Sequence, residues 1–295
     1  MHQWQRKVRY RMTGKLKVRK FAIFFTVAVM ALEMTACRTK EEALPDLSSM
    51  GTVVAVSREE GSGTRDEFES LLNISEADTE TAAESTEDVL QIVEEDTNAI
   101  GYVAYSATTD IDGKILQIDG VLPSEETISR DSYSLCRDYY LAYEGELTDV
   151  ERDFLTYVMS KGQEVVEEYC VPVKTAKTFL SDQSEGKIVI DGSTSMESMV
   201  EALADGYMEE NPNAEIEVNA TDSTSGLTSA ISGGCDIAMS SRSLKDYESE
   251  LLEVKSIGRD AVAVVVNEEN PLESITTKQL KSLYDGTCTN WSDLK

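Results

Sequence analysis

Val53-Val54-Ala55-Val56-Ser57-Arg58-Glu59-Glu60-Gly61-Ser62-Gly63-Thr64-Arg65 is the stretch from which the fold can be read. Its first four residues are apolar and mostly β-branched, the signature of a buried strand. Gly61 to Thr64 read as a tight turn. Residues 65–72, with Phe68, Leu71 and Leu72 on one face, then read as a helix. The same order recurs downstream, where Ile188-Val189-Ile190 is followed by Gly192-Ser193-Thr194-Ser195-Met196 and a helical pattern over residues 196–211. A strand that turns through small hydroxyl residues into a helix aims N–H groups and hydroxyls at one spot. The helix dipole favours negative charge there. Two such turns, one carrying Arg58, describe an oxyanion site closed from two sides.

The remaining pattern alternates in the same way. Helices are expected over residues 85–95, 148–169, 225–232 and 277–284. The 148–169 helix is opened by a Thr148-Asp149-Val150-Glu151 capping box. Strands are expected over 98–103, 114–118, 139–143, 215–218, 236–239 and 260–267. Residues 74–87 are acidic and read as surface, and 175–187 are mostly polar and read as a linker. Strands alternating with helices imply an α/β architecture with mostly parallel sheets.

Four segments place hydroxyls or charge at strand-to-helix junctions. They are Arg58 with Ser62-Gly63-Thr64, Thr194-Ser195, Ser223-Thr224-Ser225-Gly226, and Ser240-Ser241-Arg242. Ligands of open α/β sheets sit at the carboxyl ends of strands, so facing sheets bring the four together. The plainer reading of each Ser or Thr is a helix N-cap. Arg65 and Arg242 read as structural ion pairs, with Asp66 and Asp236 as available partners.

The chain has 295 residues and a formal charge of −28. The first 36 residues hold eight of its 27 Lys/Arg and one of its 55 acids, so the rest carries 19 against 54, a formal −35. Such a surface repels nucleic acid and anionic membrane, and no nucleic-acid partner is expected. It also repels a free anion, so an anionic ligand must be held by local dipoles and one or two cations. The only histidine is His2. A zinc site, a Ser-His-Asp triad and a Cys-His pair are therefore excluded past the first segment, and no cofactor, metal or enzymatic activity is expected. Cys136, Cys170, Cys235 and Cys288 show no CxxC spacing. Isolated thiols or disulfides of undetermined pairing are both open to them.

The N-terminus reads as a targeting segment. A basic region precedes an apolar stretch over 21–32 that is too short to span a bilayer comfortably. Met34-Thr35-Ala36-Cys37 follows and resembles a lipobox, with Cys37 the lipidated residue. Glu33 and Met34 depart from that motif, and an ordinary cleaved signal or an uncleaved anchor are the other readings. Residues 38–50 then form a tether.

Taken together, these segments resemble the phosphate-binding lipoproteins of bacterial ABC importers, within the type II periplasmic-binding-protein fold. The resemblance covers nearly all of residues 51–173 and 186–295. It rests on the stretch over 57–65, on Asn98-Ala99-Ile100-Gly101-Tyr102-Val103, Asp119-Gly120-Val121-Leu122-Pro123-Ser124 and Asp191-Gly192-Ser193-Thr194-Ser195-Met196-Glu197, and on Asp236-Ile237-Ala238-Met239-Ser240-Ser241-Arg242 and Asn290-Trp291-Ser292-Asp293-Leu294. It implies a two-lobed protein that captures inorganic phosphate and passes it to ABC permease subunits, from a lipid anchor on the extracytoplasmic face of the membrane. The implied ligand contacts are Arg58, Ser62, Gly63 and Thr64 from one lobe and Thr194, Ser195, Ser223 and Ser241 from the other. Some members of the family carry Asp where this chain has Ser241, which can accept a hydrogen bond too but adds no negative charge against sulfate. The alternative function is a non-transport phosphate sensor or degenerate surface lipoprotein.

The order of the halves departs from the family, which normally begins with the Gly-Ser-Thr-Ser half. A circular permutant joined through residues 175–187, a tandem or broken gene product with an incomplete site, and a domain-swapped dimer are all compatible with that order. The expected organisation is a signal over 1–37, a tether over 38–50, one lobe over 51–132, and a hinge crossing with helices over 133–174. A linker over 175–187 and the main part of the other lobe over 188–295 complete it, with a single chain crossing near residues 133–139.

Overall fold

The computed structural model describes residues 44–295 except Glu76, Asp78, Glu80 and Asp110. The expected signal segment, Cys37 and residues 38–43 of the tether lie outside the described residues. The end of the expected tether is packed: Leu47 is buried, and Leu44 and Met50 lie against the same core.

β1 (Val54–Arg58) lies between β2 (Thr81–Ala83) and β3 (Ala99–Ala104), parallel to both. After β1 comes α1 (Gly63–Leu72), and α2 (Thr86–Glu95) connects β2 to β3. β4 (Gly113–Ile115), β5 (Gln117–Ile118) and α3 (Glu125–Ser129) lead to β6 (Cys136–Tyr143). α4 (Asp149–Val158), α5 (Gln163–Tyr169) and β7 (Val171–Pro172) follow, then β8 (Gly186–Ser193), α6 (Glu197–Glu210), β9 (Ala214–Thr221), α7 (Ser223–Ser232) and β10 (Ile237–Ser240). The chain continues through α8 (Asp246–Ser249), β11 (Glu253–Asn267), β12 (Ser274–Ile275) and α9 (Thr277–Tyr284). The main strand path is β2-β1-β3-β11-β6-β10-β8-β9. Its outer strands are parallel, whereas β6 and β11 in the middle run antiparallel to their neighbours. This is the expected two-lobed α/β architecture with helices packed on a largely parallel sheet.

β11 serves both lobes, and that settles where they divide. Its first part pairs with β6, from Glu253 opposite Tyr143 to Ala261 opposite Cys136. Its second part pairs with β3, from Val262 opposite Ala104 to Val266 opposite Ile100. Two strands, β6 and β11, therefore cross between lobes side by side, where the sequence pointed to one. Residues 262–295 do not belong with residues 188–260. Val262, Val264, Leu280, Tyr284, Trp291 and Leu294 share a core with Phe68, Ile100 and Tyr102. The second lobe keeps Tyr139, Phe154, Val166, Ile188, Met199, Tyr207 and Ile257. The sequence reading missed this because residues 253–259 are mostly polar, and their strand is set by pairing with β6 rather than by apolar content. Where the register of β11 shifts, Gly258 is required by space: a Cβ there would stand 2.5 Å from Cys170 Sγ.

Two other local expectations change. The helix expected over 148–169 breaks into α4 and α5 around Gly162, which packs so closely on the preceding turn that a Cβ would lie 2.8 Å from Val158 Cα. The capping box at Thr148 and Glu151 is present. Residues 175–185 form an ordered strap on the second lobe. Phe179 packs edge-on to Tyr157, Ser181 donates to Asp153 at 2.6 Å, and Gln183 donates to the Glu210 carbonyl. At the far side of the first lobe, residues 51–53 pair with 289–291. Val53 N–H donates to the Thr289 carbonyl at 2.9 Å and Trp291 N–H to the Gly51 carbonyl at 3.2 Å.

Candidate anion site between the lobes

The first jaw is built on an aromatic cluster. Phe68 from α1 stacks on Tyr102 from β3 at 3.9 Å, and Tyr284 from α9 meets Phe68 edge-on. The Tyr102 hydroxyl reaches the end of β1, where it accepts from Arg58 N–H at 3.2 Å and bonds Ser57 Oγ at 3.0 Å. Arg65 Nη1 donates to the Arg58 carbonyl, and its Nε pairs with Glu69. The backbone of Arg58 is thereby fixed from both sides. Beyond it Gly61 takes φ +93°, a left-handed turn that glycine adopts without strain, and Ser62 caps α1. Arg58 is 1% exposed. A buried guanidinium needs partners. Nε and Nη2 of Arg58 hold the two oxygens of Glu59 at 2.7 and 2.8 Å, and Nη2 also reaches Thr194 Oγ1 across the cleft at 3.1 Å.

The second jaw gathers the ends of β8, β9 and β10. Gly192 and Gly226 let these segments approach: a Cβ on Gly192 would stand 2.1 Å from the Met239 carbonyl oxygen, and one on Gly226 2.5 Å from Gly192 Cα. Asp222 caps α7, so Ser223 sits at the helix N-terminus. Ser193 Oγ donates to Ser241 Oγ at 2.8 Å, and Ser223 Oγ accepts from Ser241 N–H at 3.1 Å. Ser223 and Ser241 are fully buried.

The structure brings all eight sequence-selected residues to one place in a single chain. Thr64 Oγ1 lies 2.8 Å from Ser195 Oγ, and the Cα of Gly63 backs onto the Ser223 and Ser241 hydroxyls. Thr224 N–H donates to the Gly61 carbonyl across the cleft. The N-termini of α1 and α7 thus converge on a surface of hydroxyls and one guanidinium. The arrangement can donate many hydrogen bonds to one acceptor-rich ligand, a tetrahedral oxyanion in chemical terms. Arg65 and Arg242 are in ion pairs, as expected. Arg242 holds Glu248 at 2.7 Å and reaches Asp66 on the other jaw at 3.0 Å. Asp236 instead accepts from Val189 N–H, and Cys136, Cys170, Cys235 and Cys288 are free thiols.

The sequence reading missed a second guanidinium. Arg137 lies on β6 at the crossing, 3% exposed, and donates to Thr64 Oγ1 at 2.7 Å. It is held by Asp260 of β11 and by the Tyr139 hydroxyl, each 3.1 Å from Nη2. Burial opposes the Arg137 charge, and Tyr139 and Asp260 outweigh it, leaving its pKa raised. Burial pushes the Tyr139 phenol well above its ordinary value, so it stays an O–H donor, 2.6 Å from Asp260 Oδ2. One signal was available: Arg137, Tyr139 and Leu141 alternate in Cys136-Arg137-Asp138-Tyr139-Tyr140-Leu141, which places the arginine on the buried face of a strand.

A family model described as a PBP superfamily domain matches residues 39–161 and 178–295, leaving out α5, β7 and the first residues of the strap. The chain belongs to the PBP superfamily. It is 37% identical over 262 residues to the phosphate-binding protein PstS 2 of Streptococcus agalactiae, covering 84% of this chain and 89% of that one. It is 32% identical over 293 residues to PstS 2 of Streptococcus pneumoniae, covering 95% and 100%. Among solved structures it resembles the phosphate-binding protein of a phosphate ABC transporter from S. pneumoniae TIGR4. That match has a TM-score of 0.68 and 34% identity, over 83% of this chain and 100% of that one. The PBP assignment agrees with the two-lobed fold read from the sequence.

Proposed function

We propose that this chain captures inorganic phosphate outside the cell membrane and delivers it to the permease subunits of an ABC importer, held at the membrane by a lipid on Cys37. The observation that carries the reading is the convergence of Arg58, Ser62, Gly63 and Thr64 with Thr194, Ser195, Ser223 and Ser241 on two helix N-termini. The relatives named as phosphate-binding proteins support the choice of anion. The mechanism is closure without chemistry. Phosphate takes over the donors that the jaws otherwise share with each other, and desolvation between the lobes strengthens each charge-assisted bond. Glu59 has both oxygens tied to Arg58 and holds the guanidinium in place.

The permuted order of the halves is part of the proposal. Segments that are consecutive in the family's usual order lie side by side here, residues 289–291 against 51–53, and the strap joins the other two ends. With two crossing strands present, the hinge has the same covalent support as an unpermuted one.

Titration calorimetry of the wild-type protein with phosphate tests the function, and Arg58→Ala tests the site. The wild type should bind one phosphate per chain, and R58A should bind about 100-fold more weakly or worse, the scale for removing one partner of a buried charged contact. Absence of phosphate binding by the wild type would overturn the function. Unchanged affinity in R58A would overturn the site.

A further inference from the structure

We infer that Arg137 is a positioning residue of this anion site, acting through Thr64. The inference rests on the reading of the cleft as an oxyanion site. It concerns a residue that lies at the lobe crossing rather than in either jaw.

All five N–H bonds of Arg137 are accounted for. Nε and Nη2 point at Asp260 Oδ2 at 3.3 and 3.1 Å, and Nη2 also meets the Tyr139 hydroxyl at 3.1 Å. Nη1 spans the cleft, donating to Thr64 Oγ1 at 2.7 Å on one jaw and to the Ser241 carbonyl at 3.4 Å on the other. A hydroxyl has one hydrogen to give and two lone pairs. Donation from Arg137 fills one lone pair of Thr64 and polarises its O–H, whose hydrogen is then available to the cleft. Thr64 Oγ1 faces Ser195 Oγ there at 2.8 Å. The unprotonated oxygens of a phosphate between the jaws only accept, so toward such an oxygen the chain Arg137 N–H to Thr64 O–H to anion runs in one direction, and each link strengthens the next.

The orientation of Arg137 is over-determined. The Asp260 and Arg137 side chains are fully buried. Asp260 Oδ1 accepts from Ser106 N–H at 3.2 Å, and Oδ2 from the Tyr139 hydroxyl at 2.6 Å. The carboxylate is therefore anchored on β11 and on the loop after β3, while Arg137 and Tyr139 come from β6. Both strands that cross between the lobes meet in this cluster, and it touches both jaws, at Thr64 on one and Ser241 on the other. Arg137 thus links the geometry of the crossing to the direction of one ligand donor.

The test is a double-mutant cycle of Arg137→Gln and Thr64→Ala, read by phosphate calorimetry, with thermal unfolding of the ligand-free proteins alongside. Each single variant should weaken binding about 10- to 100-fold, the range for a hydrogen bond to a charged group. The double variant should be no more than about threefold weaker than the weaker single, because both remove the same relay. Losses that multiply would overturn the inference and leave Arg137 a structural residue, as would a Gln variant that melts lower yet binds normally. If Arg137→Gln does not fold, Arg137→Lys and Tyr139→Phe replace it in the same cycle. Arg137→Lys keeps the charge and loses the fixed fork. Tyr139→Phe removes one of the two anchors of Nη2. Phosphate affinity unchanged in both would overturn the inference. If the wild type binds no phosphate at all, the proposed function fails first, and this outcome is distinguishable from failure of the relay alone.

Discussion

Gly63 should separate closure from folding. It is the first residue of α1, outside the left-handed region, so an alanine suits its backbone. In the ligand-free open protein the exchange should be neutral or stabilising by a few tenths of a kcal/mol, given that glycine inside a helix is about 0.5–1 kcal/mol worse than alanine. In the closed arrangement the added methyl has no room. Its carbon would stand 2.1 Å from Ser223 Oγ, 2.7 Å from Ser241 Oγ and 2.8 Å from Ser223 Cβ. The hydroxyls can rotate away, but Ser223 Cβ is fixed to the N-terminus of α7 and moves only if the lobes part. Overpacking of this kind costs about 1–3 kcal/mol, which corresponds to about 5- to 150-fold in affinity. Phosphate calorimetry of Gly63→Ala, paired with thermal unfolding without ligand, should show weaker binding and an unchanged or higher melting temperature. Affinity equal to wild type would refute the reasoning, because it would mean that the jaws do not meet at Gly63 when phosphate is held. A lower melting temperature would show that the methyl is felt in the ligand-free protein too, so that closure does not need the ligand.

Two further outcomes are expected. Burial opposes the charge of Glu248, and hydrogen bonds from Arg242 and the Lys245 N–H outweigh it, holding its carboxyl below its ordinary 4.5. A depressed carboxylate adds stability that is present above the ordinary value and lost as the pH falls through the folded one. Glu248→Gln should therefore cost about 1.5–3 kcal/mol at neutral pH by urea unfolding, with the deficit shrinking once the pH falls below 4.5; a deficit independent of pH would refute the assignment. Reordering the gene tests the proposed permutation. Opening the strap between Asp182 and Gln183 and joining Lys295 to Leu44 by a flexible linker, which keeps Leu47 and Leu294 in the core, should give a protein that folds and binds phosphate within about threefold of wild type. A reordered protein that is folded but does not bind would count against it.

The sequence by itself determined what depends on neighbours a few residues apart. Apolar runs of three or four residues gave β1, β8 and β10, and the capping residues Ser85 and Thr148 gave two helix starts, whereas the helices expected from residues 65 and 225 begin at Gly63 and Ser223 behind the caps Ser62 and Asp222. Those signals are local because a strand, a turn and a cap each draw on a few consecutive side chains. They were enough to mark the four segments that meet at the cleft, and the family resemblance implied the eight residues within them that now face one another. The tertiary structure alone decided what depends on partners far apart in the chain. Arg137 finds Asp260 only when β6 and β11 pair, and residues 253–259 become a strand only because β6 lies beside them. Residues 262–295 join the first lobe for the same reason, since the second half of β11 continues into the sheet of β3 and carries Tyr284 and Trp291 into that core. A polar strand and a buried ion pair have no period of their own. Both are set by long-range pairing, whose partners are 123 residues apart for Arg137 and Asp260.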